Sequence, residues 1–156
     1  MNKETLEAIA ENPKAYLSRG RNAKALIAAK RDRVDSWRQL AESITVTLKK
    51  DGGISGKGYK QSTVANAVSN IVDLEREILF EIEELVRLEK DILEAINTLA
   101  YDDRHIAVLE MRYVHHMKLE EIAVRLNYAF RWVQRLHGEA LASMKEAALS
   151  RAAPKI

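Results

Sequence analysis

Apolar residues recur at steps of three and four along almost the whole chain, the spacing of one helix face rather than the alternation of a strand. At Asn12-Pro13, Asn can accept the free N–H groups of a first turn and Pro suits the first helical position. The pattern predicts a helix from there to about Leu48. Ile27, Lys30, Val34, Trp37, Ala41 and Ile44 form its mostly apolar seam, whose width suits one long partner helix. Gly20 is the candidate break, since a glycine inside a helix costs about 1 kcal/mol relative to alanine.

A second helix is predicted from about Ser62 to Leu99, with one apolar face running from Val64 through Ile71, Ile78 and Ile92 to Leu99. Val72, Leu79, Val86 and Leu93 add a second stripe at intervals of seven. At 1.5 Å per residue this helix is about 57 Å long, and one partner cannot cover a face so broad. Self-association is the expected consequence, most simply as a dimer, because a two-helix hairpin alone would leave apolar area in water. Between the two helices, Asp51 to Gly58 holds four of the six glycines and reads as a loop. A phosphate-binding reading of it fails: the GxxxxGK[ST] spacing is not met, Gly58 stands where the hydroxyl would be, and no strand precedes it.

The last third is organised differently. An acidic start at Asp102-Asp103 leads into a short helix from about Arg104 to Tyr113, with Ile106, Leu109 and Tyr113 on one side. Lys118 to Leu126 is a short amphipathic helix, Asn127-Tyr128-Ala129 a connection, and Phe130 to about Ala147 a further helix, which is the layout of a helix-turn-helix. The expected fold is therefore all-α: a long antiparallel helical hairpin (coiled coil) over 1–100, serving oligomerisation, with its Gly-rich loop at 51–58, then a DNA-binding domain over 101–156.

Composition narrows the alternatives. The 156 residues are 47% hydrophobic and 31% charged, which suits a globular chain, and 2 Pro with 6 Gly are too few turns for a many-stranded sandwich. The chain has no cysteine, which excludes disulfides, thiolate metal sites and cysteine nucleophiles. No uncharged apolar run approaches the ~18 residues of a membrane span and the N-terminus has no signal-peptide core, so a cytoplasmic location is expected. Net charge is +2, but unevenly spread: +5 over residues 1–50, −5 over 51–100 and +2 over 101–156. From Ile122 onward six basic residues face only Glu139 and Glu146, a local basic balance of the kind nucleic acid attracts.

Candidate chemistry concentrates in that basic end. Ala123 is small where two helices must approach, and Ile122, Leu126, Val133, Leu136, Ala140 and Met144 can form a shared core. With Val133 at the centre of the buried side and about 100° per residue, Arg131, Gln134, Arg135 and Gly138 face outward. Arg pairs bidentately with guanine and Gln with adenine in the major groove. Phe130, Arg131, Gln134 and Arg135 are thus the candidate base contacts, and Lys118, Arg125, Gly138 and Lys145 the candidate phosphate contacts, Gly138 by letting the duplex backbone come close. Trp132 suits packing against Tyr113 or the hairpin as well as it suits DNA, and His137 suits packing within its helix. The other histidines are too scattered for a metal site, the acidic residues of the long helix read as a solvated face, and the Glu-x-x-His spacing of di-iron bundles is absent. No enzyme activity and no cofactor are expected.

Glu121-Ile122-Ala123, Leu126-Asn127-Tyr128 and Val133 to Leu141 resemble region 4 of the sigma-70 class as it occurs in small phage regulators, the ArpU/RinA-like late-gene activators. Leu109 to Tyr113 is similar to the helix preceding that motif, and the acidic helix from Ile71 to Leu99 to the family's coiled-coil front end. The resemblance covers roughly residues 61 to 145, with two departures: Ala129 stands where a capping Ser or Thr is usual, and Asn127 where Gly is common. It implies control of phage late, packaging or lysis genes by binding double-stranded DNA, with contact to host RNA polymerase. Two other readings stay open from the sequence: a small terminase-like DNA-packaging assembly protein, which also joins such a motif to an oligomerising coiled coil, and a module that grips protein and not DNA.

Overall fold

The computed structural model describes residues 1–50 and 57–154, and every element among them is an α-helix. In chain order these are α1 (Lys3–Glu11), α2 (Pro13–Lys50), α3 (Lys57–Leu99), α4 (Asp103–Tyr113), α5 (Leu119–Leu126) and α6 (Phe130–Ala152). Among the described residues no helix is long and apolar enough to cross a membrane. Of the loop expected at 51–58, residues 51–56 lie outside the described residues, and Lys57 and Gly58 open α3.

Local chemistry explains the starts. Asn2 Oδ1 accepts from the Thr5 N–H at 2.8 Å to begin α1, and Asn12 Oδ1 accepts from the Ala15 N–H at 3.0 Å to begin α2 with Pro13 in the first helical place. The short helix α1 lies ahead of the helix start expected at Asn12 and was not anticipated, although Leu6, Ile9 and Ala10 fall at i, i+3 and i+4 on one apolar side, which is buried.

The chain divides into two compact units, 1–22 together with 85–156, and 23–84. The boundary expected at 100/101 falls inside the first unit. The physical reason is that the last turns of α3 share a core with the C-terminal helices: Ile92, Ala95, Ile96 and Leu99 are buried in one cluster with Ile9 and Leu17 on one side and Leu109, Tyr113, Met144 and Ala148 on the other. That burial, at about 1.5–3 kcal/mol for each large aliphatic side chain, outweighs the sequence separation of its parts. It also accounts for the length of α6, which runs five residues past the expected end at Ala147 because Ala147 and Ala148 are buried against this cluster.

Gly20 is not a break. α2 passes through it, and a Cβ placed there would meet Ile92 Cδ1 at 3.5 Å, His116 Cε1 at 3.7 Å and the Tyr113 carbonyl at 3.8 Å. The glycine marks a close approach of α2 to α3 and to the end of α4, where an added methyl would just be in contact.

In the 23–84 unit, Ile27, Val34 and Ala41 of α2 and Ile71, Leu74 and Ile78 of α3 are buried, so the seam of steps three and four is the packed one. Lys30, counted within that seam, instead extends to Glu77 (3.4 Å) and Glu81 of α3, and Arg38 pairs with Glu75. These pairs run in opposite numerical order along the two helices, which makes them antiparallel here. Hydrogen bonding to Glu81, with Glu77 adding to it, raises the Lys30 pKa above its ordinary value. Most of the second stripe is exposed: Val72, Leu79 and Val86 lie in water, Leu79 at 64%, while Leu93 is half-buried; Val68, Phe80, Leu26 and Leu40 are exposed as well.

Candidate nucleic-acid interface

The interface is built outward from a small apolar core within the first unit. Val108 of α4, Ile122 and Ala123 of α5, and Val133 and Leu136 of α6 are buried together, with Met111, Leu126 and Trp132 packed around them. Val108 is fully buried and was missed by the sequence reading, which placed Ile106, Leu109 and Tyr113 on the packed side. Ile106 is only partly covered, because α4 serves two cores at once: Leu109 and Tyr113 face the larger cluster and Val108 the smaller one.

The connections that aim α5 and α6 follow from their residues. Asp102 caps α4, its carboxylate accepting from the Arg104 N–H at 2.8 Å and pairing with the Arg104 guanidinium at 2.8 Å; those hydrogen bonds hold its carboxyl far below the usual carboxylate range. Between α4 and α5 the Arg112 guanidinium donates to the Met117 carbonyl at 2.9 Å, and His116, at φ 57°, places its ring 3.1 Å from Glu89 of α3. At the start of α5 the Glu121 carboxylate accepts from the Lys118 N–H at 2.8 Å. Asn127 ends α5 in the left-handed conformation (φ 54°, ψ 44°), which Asn tolerates better than other non-glycine residues. The departure from Gly at this position therefore leaves the turn intact. Ala129 offers no side-chain cap, yet α6 still begins at Phe130, the Ala129 carbonyl accepting from Trp132 and Val133.

All eight candidate contact residues are exposed: Phe130, Arg131, Gln134, Arg135, Gly138 and Lys145 on α6, Arg125 on α5, and Lys118 at its start. At 100° per residue, Arg131, Gln134, Arg135, Gly138 and Lys145 share the side of α6 opposite Val133, over about 21 Å. Gly138 has open space around it, with no neighbour within 4 Å of an added Cβ. Two candidates have partners within the chain. Arg125 reaches the Met117 sulfur at 3.8 Å, and Arg135 donates through Nε to Glu139 Oε1 at 2.8 Å, with its guanidinium 5.7 Å from the centre of the Trp132 ring.

The ambiguous aromatics and histidines are also placed. Trp132 packs with the small core beneath Arg135. His137 lies beside Tyr113, its Nε2 2.8 Å from the Tyr113 hydroxyl and the rings stacked at 5.7 Å. Burial lowers the His137 pKa, helped by the nearby charges of Arg112 and Lys14, and burial raises that of Tyr113. A neutral imidazole is thus favoured at this contact between α4 and α6. Among the described residues no group of three or more His, Asp or Glu side chains could hold a metal ion.

Sequence reasoning overlooked Glu139, which sits at the edge of this face and occupies one donor of Arg135. Its signal was the i, i+4 spacing from Arg135, at which oppositely charged side chains meet on a helix. Comparison with protein-family models, with curated proteins and with solved structures returned no match.

Proposed function

We propose that the protein is a sequence-specific DNA-binding transcriptional regulator of phage type that inserts α6 into the major groove as the second helix of a helix-turn-helix. The observation that carries this reading is the row Arg131, Gln134, Arg135, Gly138 and Lys145, exposed along one side of α6 while the opposite side is gripped by α4 and α5. A helix held in this way presents its first turns to base edges, with cations on the flanks for phosphates. The resemblance to late-gene activators adds the regulatory context, including contact with host RNA polymerase. The antiparallel pair α2 and α3 is the hairpin, and a second copy of the chain covers its outer stripe. The groove lined by Arg31, Asp35, Arg38, Glu75 and Leu79 supports self-pairing, because one rim carries both signs of charge and can face its own image.

Duplex fragments retained by the protein from phage or bacterial genomic DNA should share a sequence. Affinity for them should fall steeply with salt, by about 0.9 in log–log slope per phosphate contacted. A slope near zero removes the DNA reading and leaves the protein-gripping one. Mass by light scattering should be that of a dimer; a ring of eight or more would transfer the assignment to DNA packaging.

Gly138→Ala separates fold from function. Alanine in this open, helical position should stabilise the protein by about 1 kcal/mol. It should nonetheless weaken duplex binding, because the methyl occupies the space where the backbone would approach. Thermal melting and anisotropy titrations on the same preparation give the two signs, and tighter binding by the alanine variant would remove Gly138 from the contact surface.

A further inference from the structure

We infer that Glu139 is a positioning residue that makes Arg135 a reader of guanine; the inference rests on the DNA-binding reading above. A guanidinium carries five N–H donors in a rigid fork. In this structure the Nε–H is committed to Glu139 Oε1 at 2.8 Å, which leaves the donors of the two terminal nitrogens for other acceptors. Those terminal nitrogens carry the parallel N–H pair that meets the guanine O6 and N7 acceptors end-on.

A histidine lies near the same carboxylate, beyond hydrogen-bond distance. His105 Nε2, on α4 and only 14% exposed, lies 3.8 Å from the other oxygen of Glu139. The guanidinium carbon lies 5.7 Å from the centre of the Trp132 ring, and Trp132 packs against the core of Val108, Ile122 and Val133. Arg135 thus has Glu139 at its Nε and the Trp132 ring beside its guanidinium, although its side chain is 69% exposed.

An exposed i, i+4 ion pair contributes little to folding, so stability gives no strong reason for an acidic residue on an otherwise basic face. Near phosphates the carboxylate also opposes general duplex affinity. Both effects fit a group whose benefit lies in discrimination: it reduces the rotamer freedom that Arg135 would lose on binding and disfavours unselective contact to phosphate.

The test compares the parent with Glu139→Ala, Glu139→Gln, Arg135→Ala and the double variant Arg135→Ala/Glu139→Ala at one fixed salt concentration. A randomised duplex library first defines the preferred site. Dissociation constants are then measured for that duplex, for the same duplex with its Arg135-dependent G·C pair replaced by A·T, and for a mixed-sequence duplex. Glu139→Ala should reduce the preference for G·C at that one pair by about 2- to 10-fold, with mixed-sequence affinity unchanged or higher. Glu139→Gln, which still offers an oxygen to Nε, should keep most of the preference, and Glu139→Ala should change nothing further once Arg135 is gone. If Glu139→Ala retains the full preference while Arg135→Ala loses it, the positioning role is overturned and Arg135 reads unaided. A uniform loss on all three duplexes with a matching fall in melting temperature also overturns it, in favour of a structural role. A parent that binds no duplex overturns the DNA reading and this inference together.

Discussion

Replacing Ile96 by alanine should lower the free energy of unfolding by about 2–5 kcal/mol, the range for removing a large aliphatic side chain from a core that cannot close around the gap. Ile96 is 0% exposed and belongs to the cluster that joins α1, the start of α2, the end of α3, α4 and α6. The cavity would therefore be felt by five helices at once. Urea unfolding followed by circular dichroism should show the midpoint falling with an unchanged slope. Val124→Ala, at a position 81% exposed, serves as the reference and should move stability by no more than about 0.5 kcal/mol. Equal midpoints for the two variants would mean that the end of α3 is not part of this core, and the division of the chain would return to a boundary near 100.

Arg131→Ala and Arg135→Ala should each cost about 1–3 kcal/mol in binding to the preferred duplex, roughly 5- to 150-fold, and should relax discrimination at one base pair each. The loss should be confined to the preferred site, since a bidentate contact to a base edge carries information that a phosphate contact does not. Lys118→Ala and Lys145→Ala should behave differently, weakening all duplexes about equally and reducing the salt slope by about 1 each. Because both arginines and both lysines are exposed, none of these changes should disturb folding. If both arginine variants bind as tightly and as selectively as the parent, α6 does not enter the groove by this face.

The class of the fold and most of its elements were legible from periodicity and punctuation. Asn12-Pro13 marks the start of α2, the acidic pair at 102–103 the start of α4, and Asn127 the end of α5, because each residue type meets a local backbone requirement that its neighbours alone create. The outward face of α6 was legible for the same reason: once Val133 is buried, the helical angle assigns Arg131, Gln134 and Arg135 to the other side. Most of what escaped was decided by distant partners. α1 is short and held by long-range burial, Gly20 reads as a helix breaker until its neighbours are known, and Val108 looked peripheral because α4 turns two faces to two different cores. Lys30 was counted as a seam position, and only the placement of Glu77 and Glu81 across from it shows why a cation belongs there.

The order of residues by itself determined that this chain is helical, where most of its helices begin, and which side of α6 carries its cations. These properties depend on side chains within a turn or two of one another. Tertiary structure alone decided that residues 1–22 belong with 85–156, that Val108 is buried in a second core, and that Lys30 lies across from Glu77 and Glu81. Those outcomes depend on which distant apolar surfaces meet and on the rotamers such meetings allow, and neither is encoded in a local pattern.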